Sequence, residues 1–279
     1  MIPAMITIKT RDEIEILRAG GKILARILRR IADEVKPGVS TERLENLACS
    51  LIEAAGGRPS FKNYEMGNGR YFPAALCASI NNEVVHGLPI PARILANGDI
   101  IGLDLGMEYP VTAKEAKKFK VKNSYSALGG YYTDMTLTVP VGKIGQNAKH
   151  LLQAARRALE AGIKAAKPGN SLNQLGIAIQ TLVEKKGYSV VRDLVGHGVG
   201  HQVHEDPEVF NYEFVSYGIR DTILKPGMVI AIEPMVNLGR AETKSGPDGF
   251  SIVTADGSLS AHFEHTVAIT EKGNIVITE

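Results

Sequence analysis

The sequence predicts a mixed α/β (α+β) fold in which two pseudo-symmetric helix-helix-strand halves form one domain. Two observations carry that expectation. Lys36-Pro37-Gly38-Val39-Ser40 recurs as Lys167-Pro168-Gly169-Asn170-Ser171, an offset of 131, and the same offset takes Leu44 to Leu175, Leu51 to Leu182, Glu53 to Glu184 and Gly56 to Gly187. The strand-like runs that follow also match: Gly98–Asp104 with Gly227–Glu233 at an offset of 129, and Asp134–Val139 with Glu264–Ile269 at 130. Matches in register over such a separation indicate a duplicated unit. The halves run roughly over 1–145 and 146–279, as a single domain 1–279 with a pseudo-twofold axis between them.

Each element has a local reason. Ile14, Leu17, Ile23, Leu24, Ile27, Leu28 and Ile31 form the apolar stripe of a helix over roughly 10–35. Pro37-Gly38 stops it, and Ser40 can cap a second helix over roughly 41–55. In the other half the helices fall near 147–166 and 171–186, with Pro168-Gly169 between them. Ser171 and Gln174 make a capping box for the second of these. The strands alternate. Met135, Leu137 and Val139 share one face and Asp134, Thr136 and Thr138 the other, while His265, Val267 and Ile269 oppose Glu264, Thr266 and Ala268.

Composition narrows the class without naming a function. The 279 residues carry 32 Lys+Arg against 30 Asp+Glu, so bulk charge does not argue for nucleic acid or a membrane surface. Two cysteines in a chain this long are not a disulfide scaffold and fit a reducing compartment. No apolar run approaches a membrane span. No basic segment precedes the apolar residues 1–8, so no signal peptide is expected and the chain reads as cytoplasmic.

Four acids, Asp104, Asp134, Glu233 and Glu264, stand at matching places in the two halves. Any one strand carboxylate is best read as a solvated charge. Recurrence about a pseudo-twofold axis would instead gather all four, and gathered carboxylates repel unless protonated or neutralised. Four carboxylates and a hydroxide nearly offset two dications, which favours a dinuclear site. An oxygen-rich set completed by one neutral imidazole suits Mn, Fe, Co or Zn. The imidazole comes from Gly196-His197-Gly198-Val199-Gly200-His201-Gln202-Val203-His204, whose glycines argue against a helix and let backbone approach a ligand. His150 reads as surface, His201 and His265 as structural, and His262, which shares parity with Glu264, as a neighbour of the acids. His86 lies in a loop before a turn.

These residues together resemble the methionine aminopeptidases, specifically the bacterial type I enzymes. The resemblance spans nearly the whole chain. It rests on His86-Gly87-Leu88-Pro89, the Asp104 and Asp134 strands, Gly196-His197-Gly198-Val199-Gly200, Glu233-Pro234-Met235-Val236-Asn237 and Glu264-His265-Thr266. It implies the pita-bread fold and hydrolytic removal of the initiator methionine from nascent polypeptides when the next residue is small. It also implies a ligand set: Asp104 on one metal, Asp134 and Glu264 on both, His197 and Glu233 on the other. His86 and His204 would contact the substrate, with His204 at the developing oxyanion, His86 on the leaving side and Glu233 as proton shuttle. Phe72, Cys77, Val203 and Phe250 match methionine-pocket positions. A tyrosine usual in the family falls near Gly69, its usual tryptophan is Phe250, and an aromatic is replaced by Val203, which would widen the pocket. The family is usually monomeric.

One departure stands out. Asp104 and Asp134 are 30 residues apart, where the family joins them by a short hairpin. The insertion, about 107–130, contains Lys114-Glu115-Ala116-Lys117-Lys118-Phe119-Lys120-Val121-Lys122, a local charge of +4. It reads as a solvated surface excursion, or as a contact with phosphate backbone such as ribosomal RNA, or as a lid. Two rival functions stay open. An Xaa-Pro dipeptidase of the same fold would carry an amino-terminal domain not expected here. A non-catalytic peptide- or ribosome-binding protein would have no need of the five ligands and two histidines.

Overall fold

A computed structural model of the chain describes residues 6–67, 69–119 and 129–279. Helix α1 (Arg11–Ala32) starts at Thr10, whose side chain accepts from the Glu13 N–H while Glu13 reaches back to the Thr10 N–H. Helix α2 (Thr41–Ala54) is capped by Ser40. A single turn, α3 (Ala113–Ala116), follows the long strand Ile100–Tyr109. Helices α4 (Gln146–Ala165) and α5 (Leu172–Lys185) repeat the first pair, and the expected Ser171–Gln174 capping box closes the start of α5.

The repeat is structural as well as textual. Gly38 and Gly169 both adopt φ of +87°, a conformation that a Cβ would strain, so the turn between paired helices needs glycine in each half. Gly38 N–H donates to Leu95 O at 2.8 Å and Gly169 N–H to Leu224 O at 2.9 Å. Thr41 N–H reaches Arg93 O and Leu172 N–H reaches Thr222 O, each at 2.9 Å.

All sheet pairings among the described residues are antiparallel. Strand Ile100–Tyr109 is flanked by Leu76–Ile80 and Tyr131–Pro140. A second sheet runs in the order Gly273–Val276, His265–Thr270, Val229–Ile232, Gly196–Gly198, Glu205–Val209. Two three-stranded sheets complete the set among the described residues. Helices α1 and α2 bury their apolar faces on the first sheet, through Leu24, Leu28, Leu44 and Ile52 against Leu76, Leu103 and Leu105. Helices α4 and α5 do the same on the second, through Leu151, Leu159, Leu175 and Ile179 against Ile230, Ile232 and Val267.

The two sheets are stitched along strand Tyr131–Pro140. Glu264 N–H donates to Thr136 O at 2.9 Å, Asp134 N–H to Thr266 Oγ1 at 3.1 Å, and Thr138 Oγ1 to His262 O at 2.8 Å. This seam carries the acids of one half to those of the other.

Within the segment 107–130, Met107, Glu108 and Tyr109 continue the hairpin by pairing with Thr133, Tyr132 and Tyr131. Residues 120–128, which hold Lys120 and Lys122, lie outside the described residues.

Candidate active site

The acids converge on one cleft of about 710 Å³ between the two sheets. Asp134 projects from mid-strand, as its alternation predicts, and is 3% exposed. Asp104 also sits mid-strand, not at a strand end as its match to Glu233 suggests. Glu233 and Glu264 stand just past or just before their strands, not within them. Pro234 has no N–H to continue the ladder after Glu233. The Glu264 N–H is spent on Thr136 O across the seam.

A reciprocal pair of threonines orients two of the acids. Thr136 Oγ1 donates to Glu264 Oε2 at 2.7 Å, and Thr266 Oγ1 lies 3.0 Å from Asp134 Oδ1. Each threonine is two residues beyond one acid and serves the acid of the other half. Their spacing in both copies was the available signal for this role. Such outer hydrogen bonds fix the direction in which a carboxylate presents its remaining lone pairs.

His197 enters from the glycine loop. Its Nδ1 lies 2.9 Å from Gly198 O, and its Nε2 lies 3.3 Å from Asp134 Oδ2 and 3.5 Å from Glu233 Oε1. Asp134, His197 and Glu264 each offer a ligand atom, and these atoms lie within 4.8 Å of one another. Asp104 and Glu233 face the same cleft.

The electrostatics demand a neutralising partner. Desolvation raises the proton affinity of Asp104, Asp134, Glu233 and Glu264, and for Asp104, Glu233 and Glu264 the neighbouring carboxylates add to it. Oδ1 of Asp104 is buried with no hydrogen-bond partner, a costly state for a carboxylate oxygen that a cation relieves. The donor set of oxygens plus one imidazole nitrogen, with orphaned lone pairs turned inward, fits divalent cations.

Both further histidines are here. His86 holds φ of +59°, a left-handed conformation that a non-glycine residue keeps only under constraint. Gly87 behind it has no room for a side chain, because a Cβ would come within 2.6 Å of Ala78 O. His204 stands at the mouth, edge-on to His197 with ring centroids 4.4 Å apart. Desolvation first, then the neighbouring imidazoles, lowers the pKa of both His86 and His204, so both are neutral near pH 7.

Tyr64, which sequence reasoning did not single out, fixes His204. Its hydroxyl lies 2.7 Å from His204 Nδ1. If Nδ1 accepts, the ring proton sits on Nε2. Tyr64 lies in a loop 140 residues from its partner.

Glu205 braces the same loop. Its carboxylate accepts the N–H groups of His201 and Gln202 and pairs with Lys9 Nζ at 2.6 Å, the two side chains being 1% and 5% exposed. His201 is structural as expected, its Nε2 2.9 Å from Glu13 Oε1. His265 also bonds internally, to Thr278 Oγ1.

The apolar end of the cleft is formed by Phe72, Cys77, Phe61 and Met66, the last two unforeseen. Cys77 pairs across the sheet with Asp104, and desolvation followed by the Asp104 charge pushes its thiol well up, so it remains a protonated, small apolar wall. Phe250 packs edge-on against Phe72, ring centroids 6.1 Å apart, with Arg70 over its ring. Val203 lines the adjoining cavity with Arg58 and Lys62.

Comparison with known proteins accords with this geometry. The profile of metallopeptidase family M24 matches residues 15–121 and 119–271. Methionine aminopeptidase 1 of Bacillus subtilis is 43% identical over 98% of this chain and 99% of its own. The methionine aminopeptidase structure from Thermotoga maritima superposes with a TM-score of 0.85 at 38% identity, covering 99% of this chain and 100% of that one. An Xaa-Pro dipeptidase from Bacillus anthracis matches 98% of this chain but 62% of its own, at 22% identity and a TM-score of 0.71. That last likeness is one of fold.

Proposed function

Because the chain belongs to metallopeptidase family M24, and within it to the methionine aminopeptidases, we propose that it removes the initiator methionine from nascent polypeptides when the second residue is small. The observation that carries this reading is the meeting of the acids and His197 with His86 and His204 at one end of a cleft whose other end is apolar. A non-catalytic binder would have no use for buried, mutually repelling carboxylates.

Two divalent cations, Co, Mn, Fe or Zn, suit the donor set. Asp104 would hold one, His197 and Glu233 the other, with Asp134 and Glu264 shared. When bound, they would lower the pKa of a shared water and polarise the scissile carbonyl.

The chain's own groups do the rest. The free amino terminus enters the acidic end, and the methionine side chain enters between Phe72 and Cys77. His204, with Tyr64 at Nδ1, presents its Nε2–H to the oxyanion that develops on the carbonyl. His86, aimed by its constrained backbone, contacts the amide on the leaving side. Glu233 takes a proton from the attacking water on a carboxylate oxygen and returns it to the leaving amine. Phe250 supports Phe72 from behind.

The chain acts in the cytoplasm as a monomer on this reading; no helix among the described residues is long and apolar enough to cross a membrane. The lysine-rich segment gives a contact with ribosomal RNA its motive, which deletion of 112–128 tests by ribosome co-sedimentation across a salt series. A peptide panel tests the main reading. Met-Ala and Met-Ser peptides should release methionine, Met-Leu should not, and Ala-Pro should be inert; turnover of Ala-Pro in preference to Met-Ala would overturn it.

A further inference from the structure

His262 is a buried imidazole that the reading above leaves without work. It is 4% exposed and lines the cleft among the acids. Its Nε2 has no hydrogen-bond partner, and Glu233 Oε2 stands 3.4 Å away. Its backbone is clamped on both sides by one hydroxyl: His262 N–H donates to Thr138 Oγ1 at 2.9 Å, and Thr138 Oγ1 donates to His262 O at 2.8 Å. The ring is therefore aimed by the same seam that aims the acids. A buried nitrogen without a partner is costly and calls for an explanation.

The Glu233 carboxylate lies between two imidazoles. Oε1 faces His197 Nε2 at 3.5 Å and Oε2 faces His262 Nε2 at 3.4 Å. The two oxygens thus have different surroundings. We propose that His262 is a positioning residue for Glu233: its Nε2–H is held for Oε2, which reserves Oε1, on the His197 side, for the cation. A small rotation of either group turns the present contact into a hydrogen bond. Ligand carboxylates held this way lose roughly 10–100-fold in metal affinity when the outer partner is removed.

The inference rests on Glu233 being a ligand, so Glu233→Gln is included as a control. Apoprotein of wild type, His262→Gln, His262→Asn and His262→Leu is titrated with Co²⁺, followed by calorimetry and by the visible Co²⁺ absorption. Gln keeps a donor at comparable reach, Asn keeps the donor but falls short, and Leu has none. Dissociation constants should rise at least about 10-fold for Leu and Asn and stay within about 3-fold of wild type for Gln. The Co²⁺ spectrum should shift in Leu and Asn and return in Gln. Equal Co²⁺ binding in all three variants, whether wild-type-like or equally weakened, overturns the inference. Wild-type binding in Glu233→Gln would instead overturn the ligand assignment itself. Apoprotein melting separates the two, since a merely structural His262 would lower the melting temperature in Leu with Co²⁺ affinity unchanged.

Discussion

Lys9→Met isolates the brace beneath His204. Lys9 and Glu205 form a nearly fully buried pair at 2.6 Å, far in sequence but joined beside Gly200. Removing one member of such a pair costs about 3–5 kcal/mol, because a charge is left uncompensated. Glu205 keeps the N–H groups of His201 and Gln202, which continue to solvate its carboxylate. Methionine retains most of the apolar volume of the Lys9 stem. The expected loss is therefore near the lower end, about 3 kcal/mol, or roughly 6–12 °C in melting temperature for a chain of this size. Glu205→Gln should cost more near pH 6 than near pH 9. Burial already lowers the Lys9 pKa, and the variant would lower it further below its unfolded value. Between those two values the unfolded chain holds more protons, so stability rises with pH. Thermal and urea unfolding measure both effects, and hydrolysis of a Met-Ala peptide reads out the loop, where kcat should fall more than metal content. A Lys9→Met protein that melts within about 2 °C of wild type with unchanged kcat would refute the reasoning.

Three further outcomes follow from the same geometry. His204→Ala should lower kcat by about 100-fold or more, as loss of an oxyanion donor does, while atomic absorption finds the metal content unchanged; equal loss of both would sink the assigned role. Tyr64→Phe should lower kcat/KM by about 2–12-fold, the worth of one hydrogen bond to the His204 ring, with the Phe variant melting like wild type. The apoprotein should lose stability as pH rises from about 6.5 to 8. Asp104 is pushed up to about 7 and Glu233 to about 8, so the folded apoprotein holds protons that the unfolded chain has already released. His86, His204, His262 and His265, held low by burial, oppose the trend in part, because the unfolded imidazoles are still releasing protons near pH 6.5 while the folded ones are already neutral. The net loss integrates to about 1 kcal/mol and should vanish when divalent cations are present during calorimetry; a flat apoprotein profile would contradict it.

The duplicated motif made most of this legible. Two glycine turns and matched acids predict the helix pairs and place Asp134 against Glu264, and the structure joins these through Thr136 and Thr266. Strand alternation foresees the facing of Asp134 because it lies within a ladder. It misplaces Glu233 and Glu264 as strand residues because Pro234 and the seam, not the alternation pattern, end those strands. Tyr64 carries no periodic or motif signal, and only tertiary folding brings it to His204. Phe250 likewise meets Phe72, and Arg70, bonded to Gly249 O, lies over its ring, only through tertiary folding.

The most direct test is metal removal and return on one peptide. Chelator-stripped protein should release no methionine from Met-Ala-Ser, and Mn²⁺ or Co²⁺ should restore release in wild type but not in Asp134→Asn. Turnover that survives complete stripping, or that returns equally in Asp134→Asn, would contradict a reaction run by the gathered acids.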